Sequence, residues 1–195
     1  MRPTKVLPPD YFAQPTVGLA RSLLGKHLCH ADLAGRVERW PVAEVEAYDG
    51  NGDLACHAAK NKTPRNAIMF GPPGYWYVYL CYGVHWLLNI VAGPEDFPAA
   101  VLIRGAGGRF GPGRLTRSLG IDGAYNLQLA APETGLWLEE SGLSVPDAEV
   151  QTTPRIGIHY AGEEWVKKPW RFVWNREPSQ WTVREGTPAI WRPAR

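Results

Sequence analysis

"GPPGYWYVYLCYGVHWLLNIVAG", residues 71–93, consists of two aromatic and β-branched runs that meet at Tyr82-Gly83. Two such runs around a short turn are the signature of an antiparallel hairpin. With Tyr82 and Gly83 as a two-residue loop, Cys81 is expected to face Val84, Tyr79 to face Trp86 and Trp76 to face Asn89. Tyr82 then projects from the apex. A large ring at an exposed tip costs solubility and gains little packing, so it points to a partner.

N-terminal to the hairpin, residues 26–31 and 36–48 read as strands around the turn residue Gly35, and Asp49 to Pro64 as a polar loop. In "PTVGLARSLLGKHL", residues 15–28, Val17, Ala20, Leu23 and Leu24 follow helical spacing, with Thr16 as the N-cap and Gly25 as the C-terminal cap. C-terminal to the hairpin, "AAVLIRG" at 99–105 is a buried-type strand that carries Arg104. The glycine-rich "GAGGRFGPGR" after it lacks the GK[ST] ending and the βαβ setting of a phosphate cradle. "GRLTRSLGI", 113–121, reads as a short helix, and residues 152–174 as strand, acidic turn and closing strand.

The composition agrees with many short elements in one body. A chain of 195 residues fits one domain, and 45% hydrophobic residues with nine tryptophans exclude a disordered chain. Eighteen prolines and 21 glycines call for turns rather than a helical bundle. The net charge of +2 is too small for a surface that binds polyanions everywhere, so the placement of charge decides. From Phe97 to Ile121 there is no acid, while Arg104, Arg109, Arg114 and Arg117 fall there; Lys167, Lys168, Arg171 and Arg176 make a second basic cluster.

Cys29, Cys56 and Cys81 are an odd set without ligand spacing, which argues against a disulfide framework and a structural zinc. Free thiols in a reducing compartment are expected. The N-terminus has no apolar leader core and no run reaches the ~18 apolar residues of a membrane span, so a cytoplasmic protein without membrane contact is expected.

The chemistry concentrates in "VAEVEAYD", residues 42–49. At period two, Ala43, Val45 and Ala47 share one face, and Val42, Glu44, Glu46 and Tyr48 the other, with the two carboxylates roughly 7 Å apart along the strand. Two acids on one face repel unless a cation stands nearby, and Arg104 is the candidate. An arginine partner would keep Glu46 ionised, as a general base requires. Tyr48 and His57 flank the acid on the same segment, and flat rings around a carboxylate suit a planar heterocycle held face to face. No nucleophilic Ser, Cys or Lys stands in a recognisable setting, which leaves water as the attacking group.

"EVEAYDGNGDLACHA", "TPRNAIMFGPPGYWYVYLCYG", "LLNIV", "AVLIR", "GPGRLTRSLGI" and "RIGIHYAGEEWVKKPWRF", in that order, resemble the mammalian-type alkyladenine (3-methyladenine) DNA glycosylases over residues 17 to 175. The resemblance implies that Glu46 deprotonates the water attacking C1′ of the deoxyribose and that Arg104 helps to hold that water. It implies that Tyr48 and His57 contact the flipped base, that Tyr79 stacks on its other side, and that Asn89 disfavours the exocyclic amino group of guanine. Tyr82 would enter the minor groove as a wedge. Arg65, Arg114, Lys167 and Lys168 are the candidates for DNA-backbone contacts. Cys56 stands where the family commonly has a smaller side chain, and the loop to Thr63 is short; both bear on pocket width.

The expectation is therefore an α+β fold: a single domain over residues 1–195 with a curved antiparallel sheet, a protruding hairpin and peripheral helices, residues 1–15 being less ordered. Its Glu46 faces a hollow that admits a purine nucleotide. The implied partner is damaged double-stranded DNA, with no metal, organic cofactor or obligatory protein partner. A non-catalytic nucleic-acid-binding module and a hydrolase of free nucleosides are the rival readings.

Overall fold

The computed structural model describes residues 5–32 and 34–176. Nine strands form one sheet: β1 His27–Ala31, β2 Val37–Asp49, β3 Trp76–Cys81, β4 His85–Ala92, β5 Ala99–Ala106, β6 Arg109–Phe110, β7 Leu136–Glu139, β8 Val150–Thr153 and β9 Arg171–Trp174. Three helices accompany them: α1 Thr16–Leu23, α2 Pro112–Leu119 and α3 Glu163–Lys167. The main path runs β3-β4-β5-β2-β1-β7, with β6 on β5, β9 on β2 and β8 on β9. Every pairing among these strands is antiparallel, giving the α+β class. No helix among the described residues is long and apolar enough to cross a membrane.

The spine is β2, a 13-residue strand. One edge pairs with β5; the other pairs with β1 over residues 37–41 and with β9 over 44–46. The β2–β5 ladder is irregular: Val42 faces Ala106, Glu44 faces Gly105 and Val45 faces Ile103. Ala43 on one strand and Arg104 on the other are thus extra residues in two bulges that offset each other, and bulges re-aim side chains. Strict alternation consequently fails at Val42, which packs in the main apolar cluster with Ala43, Val45 and Ala47 instead of sharing the face of the acids. Glu44, Glu46 and Tyr48 keep their common side, joined by Arg104.

The β3–β4 hairpin forms, one residue out of the expected register. Cys81 faces His85, Tyr79 faces Leu87, and Tyr77, not Trp76, faces Asn89. The connection holds three residues, Tyr82 to Val84: Tyr82 and Gly83 take positive φ (51° and 70°), Val84 N–H donates to the Cys81 carbonyl, and ladder pairing resumes at His85. Tyr82 is 93% exposed at the tip.

Other expectations need adjustment. Thr16 is the first residue of α1, not its cap; Pro15 precedes it, and the Thr16 hydroxyl is buried without a hydrogen bond. The glycine-rich stretch is not an open loop: Gly107 and Gly108 turn β5 into β6, and a Cβ on Gly107 would lie 2.5 Å from the Trp40 ring. The acidic turn is α3, with Glu163 and Glu164 in its first turn, and β9 returns to pair with β8 and β2.

Residues 5–15 are packed rather than loose. Leu7 N–H donates to Leu138 O at 2.9 Å, Glu140 N–H donates to Lys5 O at 2.8 Å, and Phe12 is fully buried. Residues 1–4 and 177–195, assigned from the sequence to the same domain, lie outside the described residues.

Candidate active site

A cavity of about 900 Å³ opens beside the hairpin, large enough for a flipped nucleotide by the usual scale of ligand sites. Its walls include Tyr48 from the end of β2, Cys56 and His57 from the loop after it, Tyr77 and Tyr79 from β3, and Asn89 from β4. Tyr82 and Arg65 stand at the mouth. The hairpin and the strand that carries the acids therefore converge on one hollow.

The aromatic residues do not stand as three separate slabs. His57 and Tyr79 touch, with ring centroids 4.6 Å apart at 65°, and Tyr77 and Tyr79 are 5.1 Å apart at 34°. No base fits between His57 and Tyr79, so these two form one wall. Tyr77 holds it: the Tyr77 hydroxyl hydrogen-bonds His57 Nδ1 at 2.9 Å. His57 opens toward the cavity, yet desolvation by its neighbours and then the Arg65 charge lower its proton affinity below the ordinary value. The ring is neutral at pH 7. Asn89 donates from Nδ2 to Tyr77 O at 3.0 Å, which fixes the amide against the wall. The Cys56 thiol lies buried against Pro98 O, and burial pushes its pKa up to about 11, so it acts as a small inert wall group.

Glu46 sits behind this wall instead of in it. It is fully buried and does not line the cavity, in contrast to the expectation that it faces the hollow directly. Its Oε2 accepts from the Tyr48 hydroxyl at 2.9 Å and its Oε1 from Ile156 N–H at 2.8 Å. Tyr48 and the residues after Ile156, Gly157 and Ile158, line the hollow, so one layer separates carboxylate and cavity.

The arginine reaches both acids, unequally. Arg104 Nε donates to Glu44 Oε1 at 2.7 Å, whereas its Nη1 lies 3.4 Å from Glu46 Oε1. Arg171, from β9, also donates to Glu44 Oε1 at 2.7 Å. Glu44 thus takes the closest contacts of two arginines. For Glu46, burial raises the proton affinity, and Arg104, Ile156 N–H and Tyr48 only partly offset it. The net direction is up, against the expectation that an arginine partner would favour the ionised form, because burial outweighs Arg104. A buried carboxylate of raised pKa is a stronger base than an exposed one, provided the operating pH keeps it ionised.

The backbone candidates divide. Arg65 is exposed at the mouth, its guanidinium 5.0 Å from the Tyr79 ring centroid. Arg114 is exposed in the first turn of α2. Lys167 pairs with Glu163, and Lys168 with Glu164 at 3.1 Å, with its ammonium over the Trp165 ring. Neither lysine lines the cavity.

Sequence reasoning missed three parts: Tyr77 as the holder of His57, Ile156 N–H in the "RIGI" stretch, and Arg171 as a second counter-charge. The quoted C-terminal motif contained two of them, but nothing local reveals that it folds back onto β2. Among the described residues, no group of three or more His, Cys, Asp or Glu side chains is arranged to hold a metal ion.

Comparison with known proteins identifies the family. The profile of a family described as Methylpurine-DNA glycosylase (MPG) matches residues 10–107 and 109–178. A protein of Anaeromyxobacter dehalogenans (strain 2CP-1), named "Putative 3-methyladenine DNA glycosylase", is 42% identical over 186 residues, covering 91% of this chain and 85% of that protein. Proteins with the same name from Myxococcus xanthus and Frankia casuarinae are 41% and 38% identical, covering 96% and 100% of this chain and 98% and 99% of their own length. With nearly the whole chain matched, this protein belongs to the methylpurine-DNA glycosylase family.

Proposed function

We propose that this chain is a monofunctional DNA glycosylase that excises alkylated purines, 3-methyladenine and 7-methylguanine foremost, and deaminated or etheno purines as a wider range. The observation that carries the reading is the buried Glu46 one layer behind an aromatic hollow, with an exposed tyrosine on the hairpin at its mouth. Tyr82 would fill the gap left in the duplex while the extruded base enters between Tyr48 and the His57–Tyr79 wall.

Alkylation at N3 or N7 makes the purine cationic and weakens the glycosidic bond, so a positioned water and a stacking pocket supply most of what remains. Water oxygen attacks C1′, the C1′–N bond breaks, and its electron pair leaves with the base, neutralising the charge of the alkylated ring. The water proton passes to Glu46. Water must stand between Glu46 and C1′, so base entry has to part the layer between cavity and carboxylate, whose oxygens can accept from water while keeping Tyr48 and Ile156 N–H. Without a lysine nucleophile the product is an abasic site in an unbroken strand.

Duplexes carrying 3-methyladenine, 7-methylguanine, hypoxanthine or ethenoadenine test the reading. Base release from at least the first two, with the strand intact until alkali is added, is the expected result. No release from any of them, with salt-dependent duplex binding retained, would assign the chain to a binding role instead.

A further inference from the structure

Arg155 lies fully inside the protein wall and belongs to none of the roles given above. Its Nη2 donates to Asp53 Oδ1 at 2.8 Å, and its Nη1 donates both to Asp53 Oδ2 and to the Ala47 carbonyl, the latter at 2.8 Å. Asp53 is equally buried and also accepts from Asp49 N–H and Ala55 N–H. The guanidinium carbon lies over two rings, 4.8 Å from the Tyr48 centroid and 5.0 Å from that of Trp170. Its third nitrogen, Nε, is buried without a hydrogen-bond partner among the described residues.

These contacts meet at Glu46. Ala47 and Tyr48 follow it on β2, Ile156 follows Arg155 in the chain, and Tyr48 and Ile156 are the two uncharged donors to the Glu46 carboxylate. An ion pair kept for stability alone has no need to stack on Tyr48 and leave one donor bare. Buried pairs are in any case weak contributors to stability.

We infer that Arg155, fixed by Asp53, is a positioning residue that sets the Tyr48 ring and the Ile156 N–H on Glu46 and thereby holds the carboxylate ready to accept the water proton. The inference rests on the glycosylase reading proposed above. One consequence is that Arg155 also limits how far Tyr48 swings when the base enters, coupling pocket occupancy to the acid behind it.

Arg155→Lys keeps the charge opposite Asp53 but removes the planar fork that bonds Ala47 and covers Tyr48. The charged and titratable groups around Glu46 are Glu44 and Tyr48 on β2, Arg104 on β5, Arg171 on β9 and Arg155 itself. Loosening the Tyr48 and Ile156 donors favours the protonated acid, so the acid limb of the single-turnover rate moves to higher pH. The expected result is an about 10–100-fold slower base release at neutral pH, less than the ~10²–10⁴-fold of a general acid or base itself, with partial recovery at higher pH and lesion-duplex Kd within about threefold.

A double-mutant cycle with Tyr48→Phe, which keeps the ring and deletes the hydroxyl, supplies the second measurement. The Arg155→Lys effect should shrink in the Tyr48→Phe background. If Arg155→Lys proves too unstable to assay, Trp170→Leu loosens the same stack with the Asp53 pair intact and should move the limb in the same direction. An unmoved limb in a folded Arg155→Lys or Trp170→Leu variant, or strictly additive effects with Tyr48→Phe, would overturn the positioning role. Failure of the unmodified protein to release any base would instead overturn the glycosylase reading, so the two failures are distinguishable.

Discussion

Of the three carboxylates that the sheet buries beside arginines, Glu44, Glu46 and Glu139, the last two have their proton affinities moved in opposite directions. Glu139, on β7, accepts from Arg39 Nε at 2.6 Å and from the Trp137 indole at 3.2 Å, with His27 Nδ1 at 3.8 Å, beyond hydrogen-bond reach. Burial alone would raise its proton affinity, but these neighbours outweigh it and bring the pKa to about 2. Glu46, on β2, is buried at least as deeply, yet its arginine stands 3.4 Å away with its closest donor given to Glu44, and its proton affinity rises. The difference lies in the groups around each acid: His27, an unshared Arg39 and the Trp137 indole surround Glu139, whereas burial dominates at Glu46 and its arginine is shared with Glu44. A dedicated close partner makes Glu139 a permanent anion that joins strands, whereas an arginine shared with Glu44 leaves Glu46 able to take a proton.

Several variants would break or sharpen that contrast. The largest expected effect is catalytic: Glu46→Gln should slow base release by at least about 100-fold, within the usual range for a general base. By contrast, Glu139→Gln should leave release by the folded protein unchanged while costing about 3 kcal/mol in urea denaturation, because Arg39 and the indole lose a buried anion. The pH dependence of stability separates the acids further. The folded pKa of Glu139 is depressed, so its stabilising contribution is complete above the ordinary carboxylate value of 4.5 and disappears as pH falls toward about 2. Glu46 has the opposite sign. Its folded pKa is raised, so it opposes folding above the unfolded value and that cost is relieved on acidification. Stability of Glu139→Gln should therefore fall less between pH 5 and pH 2.5 than that of the unmodified protein.

How the two regions could be read in advance also differs. Alternation along residues 43–48 revealed the shared side of Glu44, Glu46 and Tyr48, since side chains two apart on a strand must coincide. It could not reveal the paired bulges at Ala43 and Arg104, because a bulge depends on the partner strand as much as on its own residues. Arg171 looked like part of a surface cluster, and only the return of β9 to β2, 127 positions from Glu44, makes it a half-buried counter-charge to a buried acid. Arg155 was hidden for the same reason, its partner Asp53 being 102 positions away. The hairpin was legible in kind but not in register, because positive φ at Tyr82 and Gly83 suits a two-residue loop, while the ladder pairs Cys81 with His85 and leaves Val84 in the connection.

Smaller effects are expected away from the acids. Tyr82→Ser, at a position 93% exposed, should leave the urea midpoint unchanged. It should lower excision from a stably paired duplex by about tenfold, and less from a mismatched one, since unstacking costs a few kcal/mol and mismatches carry part of that cost already. Arg114→Ala, removing an exposed cation from α2, should weaken duplex binding alike for all lesions and reduce the slope of log K against log salt by about one.

The most direct measurement is single-turnover release of 3-methyladenine by Glu46→Gln beside its affinity for the same lesion duplex. The account predicts that release nearly vanishes while Kd stays within about threefold of the unmodified protein. Release at the unmodified rate would contradict it, and Glu46 would then be a structural acid like Glu139.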